Sequence, residues 1–165
     1  MNQQTATKTR LPWEDRWSEP ELNQLVKPID DQPRRAFSTL ISNIDGLERV
    51  GRALTWYGPA WKWTIEYQLL GQNGEAVQVL AYLVPRNSGP LVCVPLTNNV
   101  IGHLPMRRLN KFIRNGIRSA KCAVEIQWAV WNLSASTEVI HLMDLIKRKH
   151  KILLGLPSRS KGSKK

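Results

Sequence analysis

The chain has 165 residues, 42% hydrophobic and 22% charged, enough apolar content and length to bury a core without a metal or disulfide staple. Its net charge of +11 is regional: residues 1–105 carry ten Lys/Arg against ten Asp/Glu, and residues 106–165 carry fourteen against three. No apolar stretch approaches the ~20 residues of a membrane-spanning helix, and the opening "MNQQTATKTR" lacks the apolar run of a secretory signal. Cys93 in "LVCVPL" and Cys122 in "KCAVEI" are spaced as neither a zinc nor a redox motif and read as buried, reduced thiols. These features exclude a membrane span and a disulfide scaffold, and the expected setting is cytoplasmic.

Residues 1–17 are polar and aperiodic and read as a flexible N-terminal arm, with Trp13 and Trp17 as its candidate anchors. A single domain is expected over 18–154 and a disordered basic tail over 155–165. In "SEPELNQLV" Ser18 can cap a short helix, Pro20 suits its first turn and Glu21 completes a capping box; Pro28 ends it. A stronger helix starts at Pro33, where Ala36, Phe37, Leu40, Ile41, Ile44 and Leu47 form one apolar stripe, and Gly51 is expected to close it.

From Arg52 the period changes to two. "RALTWYG" reads as a strand entering a turn at Gly58-Pro59. Trp61, Trp63, Ile65, Tyr67 and Leu69 then alternate with Lys62, Thr64, Glu66 and Gln68, which predicts one bulky and one polar face. "GQNG" makes a hairpin turn, "AVQVLAYLVP" a third strand and "LVCVPL" a fourth, with Pro95 at its end or on an exposed edge. A helix is expected over 107–118, then a fifth strand, "CAVEIQWAVWNL", with Val124, Ile126, Trp128 and Val130 on one face. The last helix, capped by Ser134 or Ser136, carries Val139, Ile140, Leu142, Met143 and Ile146, and ends in "KRKHK". Short turns between successive strands imply antiparallel pairing. The expected architecture is α+β, an antiparallel sheet of about five strands with helices packed on one face as a two-layer sandwich.

Three pieces, "WYGPAWKWTIEY", "YLVP" and the closing "LMDLIKRKHK", resemble the uncharacterised bacterial family called domain of unknown function 3788, which is similar to YdhG-like domains. The resemblance spans roughly residues 18–152 and carries over no catalytic residue. Some YdhG-like proteins are described as frataxin-like iron chaperones, so the resemblance implies iron as a cargo to test. Hard iron binding wants clustered carboxylates, and the one loose acidic grouping is Glu19, Glu21, Asp30 and Asp31, two of which serve helix starts.

No nucleophile stands beside a base in the pattern of covalent catalysis. His103, His141 and His150 lack metal-ligand partners at helical spacing, and "GQNGEA" lacks the lysine of a phosphate loop. The expectation is no enzyme, no cofactor and no metal. Two binding surfaces are candidates. Arg107, Arg108, Lys111, Arg114, Arg118, Lys147, Arg148, Lys149 and Lys151 can form a basic stripe for an anionic partner, nucleic acid or an acidic protein, or else the solvated backs of two helices. Trp56, Tyr57, Trp61 and Tyr82 can line a ligand or peptide pocket at the sheet's end, or else pack as core.

Overall fold

The computed structural model describes residues 10–155. In chain order these form α1 (Leu22–Val26), α2 (Asp31–Asp45), β1 (Val50–Trp56), α3 (Gly58–Trp61), β2 (Trp63–Leu70), β3 (Ala76–Val84) and β4 (Leu91–Thr97), then α4 (Asn98–His103), a 3-10 turn (Met106–Arg108), α5 (Lys111–Arg118), β5 (Lys121–Ala123), β6 (Ile126–Asn132) and α6 (Ser136–Gly155). The fold is α+β. Its sheet has six strands, not about five, in the order β1-β2-β3-β4-β6-β5, every neighbour antiparallel.

The sixth strand arises because the segment read as one fifth strand folds into a hairpin. Val124 and Glu125 both adopt positive φ, 52° and 61°, the backbone of a two-residue turn that suits a strand pair's right-handed twist. Val124 is therefore 93% exposed at a hairpin tip, not part of an apolar face. Cys122, on the three-residue edge strand beside it, is exposed; Cys93 is buried. The helix expected over 107–118 also divides. Arg107 and Arg108 lie in the 3-10 turn, and α5 begins after Asn110, whose side chain accepts from Phe112 N at 2.8 Å. Similarly, α1 starts at Leu22 with Glu21 as its N-cap, not Ser18, and α2 ends at Gly46, before Gly51, which lies in β1.

One face of the sheet, bearing Ile65, Tyr67, Leu83, Val92 and Trp131, meets α2, α5 and α6 in a single core cluster. Tyr67 reaches α2, its hydroxyl donating to Asp45 Oδ1 at 3.0 Å. Trp131 donates from Nε1 to Phe112 O on α5 at 3.1 Å, an approach that leaves no room for a Cβ at Gly116. Within the segment expected as an arm, Trp13 is buried in this cluster and Trp17 is 85% exposed. Residues 1–9 of that arm, and 156–165 of the expected basic tail, lie outside the described residues.

The opposite face of the sheet departs from the wet face that alternation predicts. Thr64 and Glu66, the polar alternates of β2, are buried together with Ile65 and Tyr67. Residues 57–62 form an elbow around α3 that lays Tyr57 and Trp61 across this face.

Candidate functional site

The nine cations expected as one stripe separate into three groups. Arg107, Arg108, Lys111, Arg118, Lys147 and Lys151 are exposed and make no ion pair among the described residues. Lys111 and Arg118, two helical turns apart, share a side of α5, and Lys147 and Lys151 share a side of α6. Arg148 is half-buried and paired with Asp144 at 3.0 Å, one turn earlier. Arg114 is also half-buried, and its Nε has no hydrogen-bond partner among the described residues.

Lys149 does not belong to the surface at all. It is 0% exposed, and its ammonium donates to the carbonyls of Val79 at 2.8 Å, Leu80 at 3.0 Å and Pro95 at 2.5 Å. Those three oxygens lie where the sheet ladder lapses. β3 and β4 pair only at Tyr82–Cys93, Leu83–Val92 and Val84–Leu91. Two positions beyond Cys93, Pro95 would face β3 but has no N–H to give. β3 also carries an extra residue there, since Tyr67 pairs with Ala81 but Gln68 with Val79, a bulge that turns Leu80 inward. Lys149 thus spans a gap between two strands. Pro95 is neither a strand end nor on an edge, because β6 pairs along the whole far side of β4.

Burial pulls the Lys149 amine down from 10.5 to about 7, against an opposing pull from Cys93. The three carbonyls also work against that fall, since each accepts more strongly from an ammonium than from an amine. Cys93 is pushed from 9.0 up to about 12 by burial, with Lys149 opposing. A thiol held protonated in this way is a poor nucleophile, and the amine is fully buried.

The aromatic candidates converge more closely. Tyr82 on β3 sits at the centre of the outer face, its ring 5.4 Å from Tyr57, 5.4 Å from Trp61 and 6.2 Å from Trp128. Three of the four expected residues therefore meet. Trp56 does not join them; it packs edge-on against Trp63 at 6.0 Å and borders the main core, because β1 pairs Trp56 with Trp63 and not with the Glu66 row. Glu66 lies across from Tyr82 in register, and its carboxylate is close enough to the Tyr57 and Tyr82 hydroxyls to act on both electrostatically. Burial, followed by Glu66, raises the pKa of Tyr57 and of Tyr82.

No family model, curated protein or solved structure matches the chain. The functional reading therefore rests on this geometry alone.

Trp128 and Glu66 are the site members that sequence reasoning assigned to other roles. Trp128 reads from the sequence as a strand-face residue beside Val130, and the register of β4 with β6 brings it next to Tyr82. Glu66 carried the signal of a solvated alternate position, and no local pattern foretells the elbow that covers it. The loose acidic grouping is spent on helix starts: Glu21 caps α1, and Asp31 pairs with Arg34. Among the described residues no three His, Cys, Asp or Glu side chains gather to hold a metal ion. His103 donates from Nδ1 to Asn99 O at 2.8 Å and His150 from Nε2 to Glu48 O at 2.7 Å, each ring tied to backbone. No helix among the described residues is long and apolar enough to cross a membrane.

Proposed function

We propose that this chain is a small cytoplasmic binding domain, without catalysis, that contacts an anionic partner through its basic C-terminal part. The supporting observation is the set of six exposed cations, Arg107, Arg108, Lys111, Arg118, Lys147 and Lys151, that no carboxylate neutralises among the described residues. Such a surface draws polyanions by releasing their counterions. With the helices as one layer and the sheet as the other, this surface and the aromatic one lie on opposite sides of a two-layer sandwich. Kinship with domain-of-unknown-function family 3788 is part of the same proposal and supplies no site residue.

The test is fluorescence anisotropy of a labelled single-stranded oligonucleotide, with an oligoglutamate peptide as the acidic-protein arm, titrated across a salt series. For four to six phosphate contacts the logarithm of affinity should fall by about 3 to 4 per log unit of salt. Absence of binding to both probes at low salt, or a slope near zero, would overturn the reading.

A second reading, a ligand or peptide module on the Trp-rich strand, has its own support in the meeting of Tyr57, Trp61 and Tyr82. In this reading the aromatic face is the recognition surface and the cations only solubilise the domain.

A further inference from the structure

The outer face of the sheet sets a carboxylate beside an aromatic cluster: Glu66 lies across from Tyr82 in register, and the rings of Tyr57, Trp61 and Trp128 surround Tyr82. Glu66 is 8% exposed and forms no ion pair among the described residues; its polar neighbour is the hydroxyl of Tyr57. The cation closest to it in sequence on the elbow, Lys62, is directed instead to Glu14 at 3.5 Å. A carboxylate withdrawn from water without a counter-charge is costly. The π faces of Tyr57, Trp61, Tyr82 and Trp128 carry the negative end of their quadrupoles, so carboxylate and rings favour a positive group in the same place.

The cover over Glu66 is hinged. Tyr57 is 37% exposed and lies on the elbow with Trp61, which its ring meets edge-on at 6.2 Å. Positive φ flanks that elbow on both sides: Gly58 at 77°, and Lys62 at φ 57°, ψ −141°, a backbone region almost reserved for glycine. Gly58 takes this conformation freely, so the strain sits at Lys62 alone, the point from which the elbow can turn.

We propose that this face is a binding site for an organic cation, specifically a methylated or quaternary ammonium, seated against Glu66 and the rings of Tyr57, Trp61 and Tyr82, with Trp128 backing Tyr82 from the far side and Tyr57 turning outward to admit it. The methylated class follows from the lining. A primary ammonium brings three N–H donors, whereas ring faces make most of this lining and its acceptors, Glu66 and the Tyr57 and Tyr82 hydroxyls, already interact with one another, so a weakly hydrated cation loses less on entry. The inference concerns the opposite layer from the anionic-partner surface and stands or falls independently of it.

The experiment uses the full chain and follows the tryptophan indole N–H resonances by NMR during titration with choline. Its uncharged carbon isostere, 3,3-dimethylbutanol, is the control. Saturable shifts at Trp61 and Trp128, with choline at least ~10-fold tighter than the isostere, are the expected result. Glu66→Gln should weaken choline by about tenfold or more and leave the isostere unchanged; Trp61→Leu, at a half-buried position, should weaken choline more than the isostere and serves should Glu66→Gln fail to fold. A trimethyllysine peptide and its unmethylated form distinguish the source. Tighter binding of the methylated peptide than of choline indicates a modified protein partner, and weaker binding indicates a free small molecule. Equal affinity for choline and the isostere, no shift at Trp61 or Trp128, or an unchanged choline affinity in a folded Glu66→Gln protein would overturn the proposal.

Discussion

Lys149 shows how one side chain can complete a sheet that its backbone cannot. Its three carbonyl contacts satisfy acceptors that the β3–β4 ladder leaves open, and a buried acceptor without a donor costs about 1–3 kcal/mol. Lys149→Met keeps the length of the stem and removes the donors. At pH 9, where the neutral amine keeps two N–H donors for these carbonyls, the substitution should lower stability in urea unfolding by about 2–4 kcal/mol, with the deficit narrowing toward pH 6 as the buried amine takes up its proton. The sign follows from the two perturbed groups. Lys149, lowered from 10.5 to about 7, sheds a proton between pH 7 and 9 that the unfolded chain still holds, so stability rises with pH across that window. Cys93, raised from 9.0 to about 12, keeps its proton above pH 9 while the unfolded thiol ionises, so its contribution falls there and offsets the rise. The Lys149→Met protein should lose the climb between pH 7 and 9 and retain the decline above it. A wild-type curve that is flat over that window would contradict the low lysine pKa.

At the scale of elements, the contact between α5 and β6 is set by one missing side chain. Gly116 lies inside α5, where alanine would normally stabilise a helix by about 1 kcal/mol. Here a Cβ would collide with the Trp131 indole, itself held by Phe112 O. Overpacking of this kind costs about 1–3 kcal/mol, so Gly116→Ala should be destabilising in thermal unfolding, with the sign opposite to helix propensity. A stabilised protein would mean that α5 can slide on the sheet without loss. The β5–β6 hairpin is a case where local chemistry misleads: Val124 and Glu125 are neither asparagine nor glycine, yet both take positive φ. A β-branched residue in that conformation is an outlier, and the strand pairing on both sides of the turn holds it there.

For the molecule as a whole, the basic segments and the aromatic cluster fall on different elements. Arg107, Arg108, Lys111, Arg118, Lys147 and Lys151 lie on the 3-10 turn, α5 and α6, while the sheet's outer side carries Tyr57, Trp61, Tyr82, Trp128 and a single buried carboxylate. Reversing Arg107, Arg108 and Lys111 to glutamate together tests the helical side. Being exposed, these positions should each change stability by less than ~0.5 kcal/mol. The oligonucleotide salt slope should fall by about 2, and choline titration of the sheet face should be unaltered. Loss of both activities at once would show that the two layers do not act separately.

Periodicity alone determined much of this protein. The stripe from Ala36 to Ile44, the alternation through Trp63–Tyr67 and the apolar set of α6 declare helix, strand and helix, since a helix or strand can bury only residues at its own repeat. Antiparallel pairing followed from the short turns, and the regional basic charge was plain from counting. Tertiary structure decided what those patterns cannot encode. Glu66 and Lys149 read as solvated because polarity is a local property. Their burial depends on partners far along the chain, the elbow at 57–62 for one and the carbonyls of Val79, Leu80 and Pro95 for the other. Both side chains stay polar because each meets hydrogen-bonding groups that only the assembled sheet brings within reach.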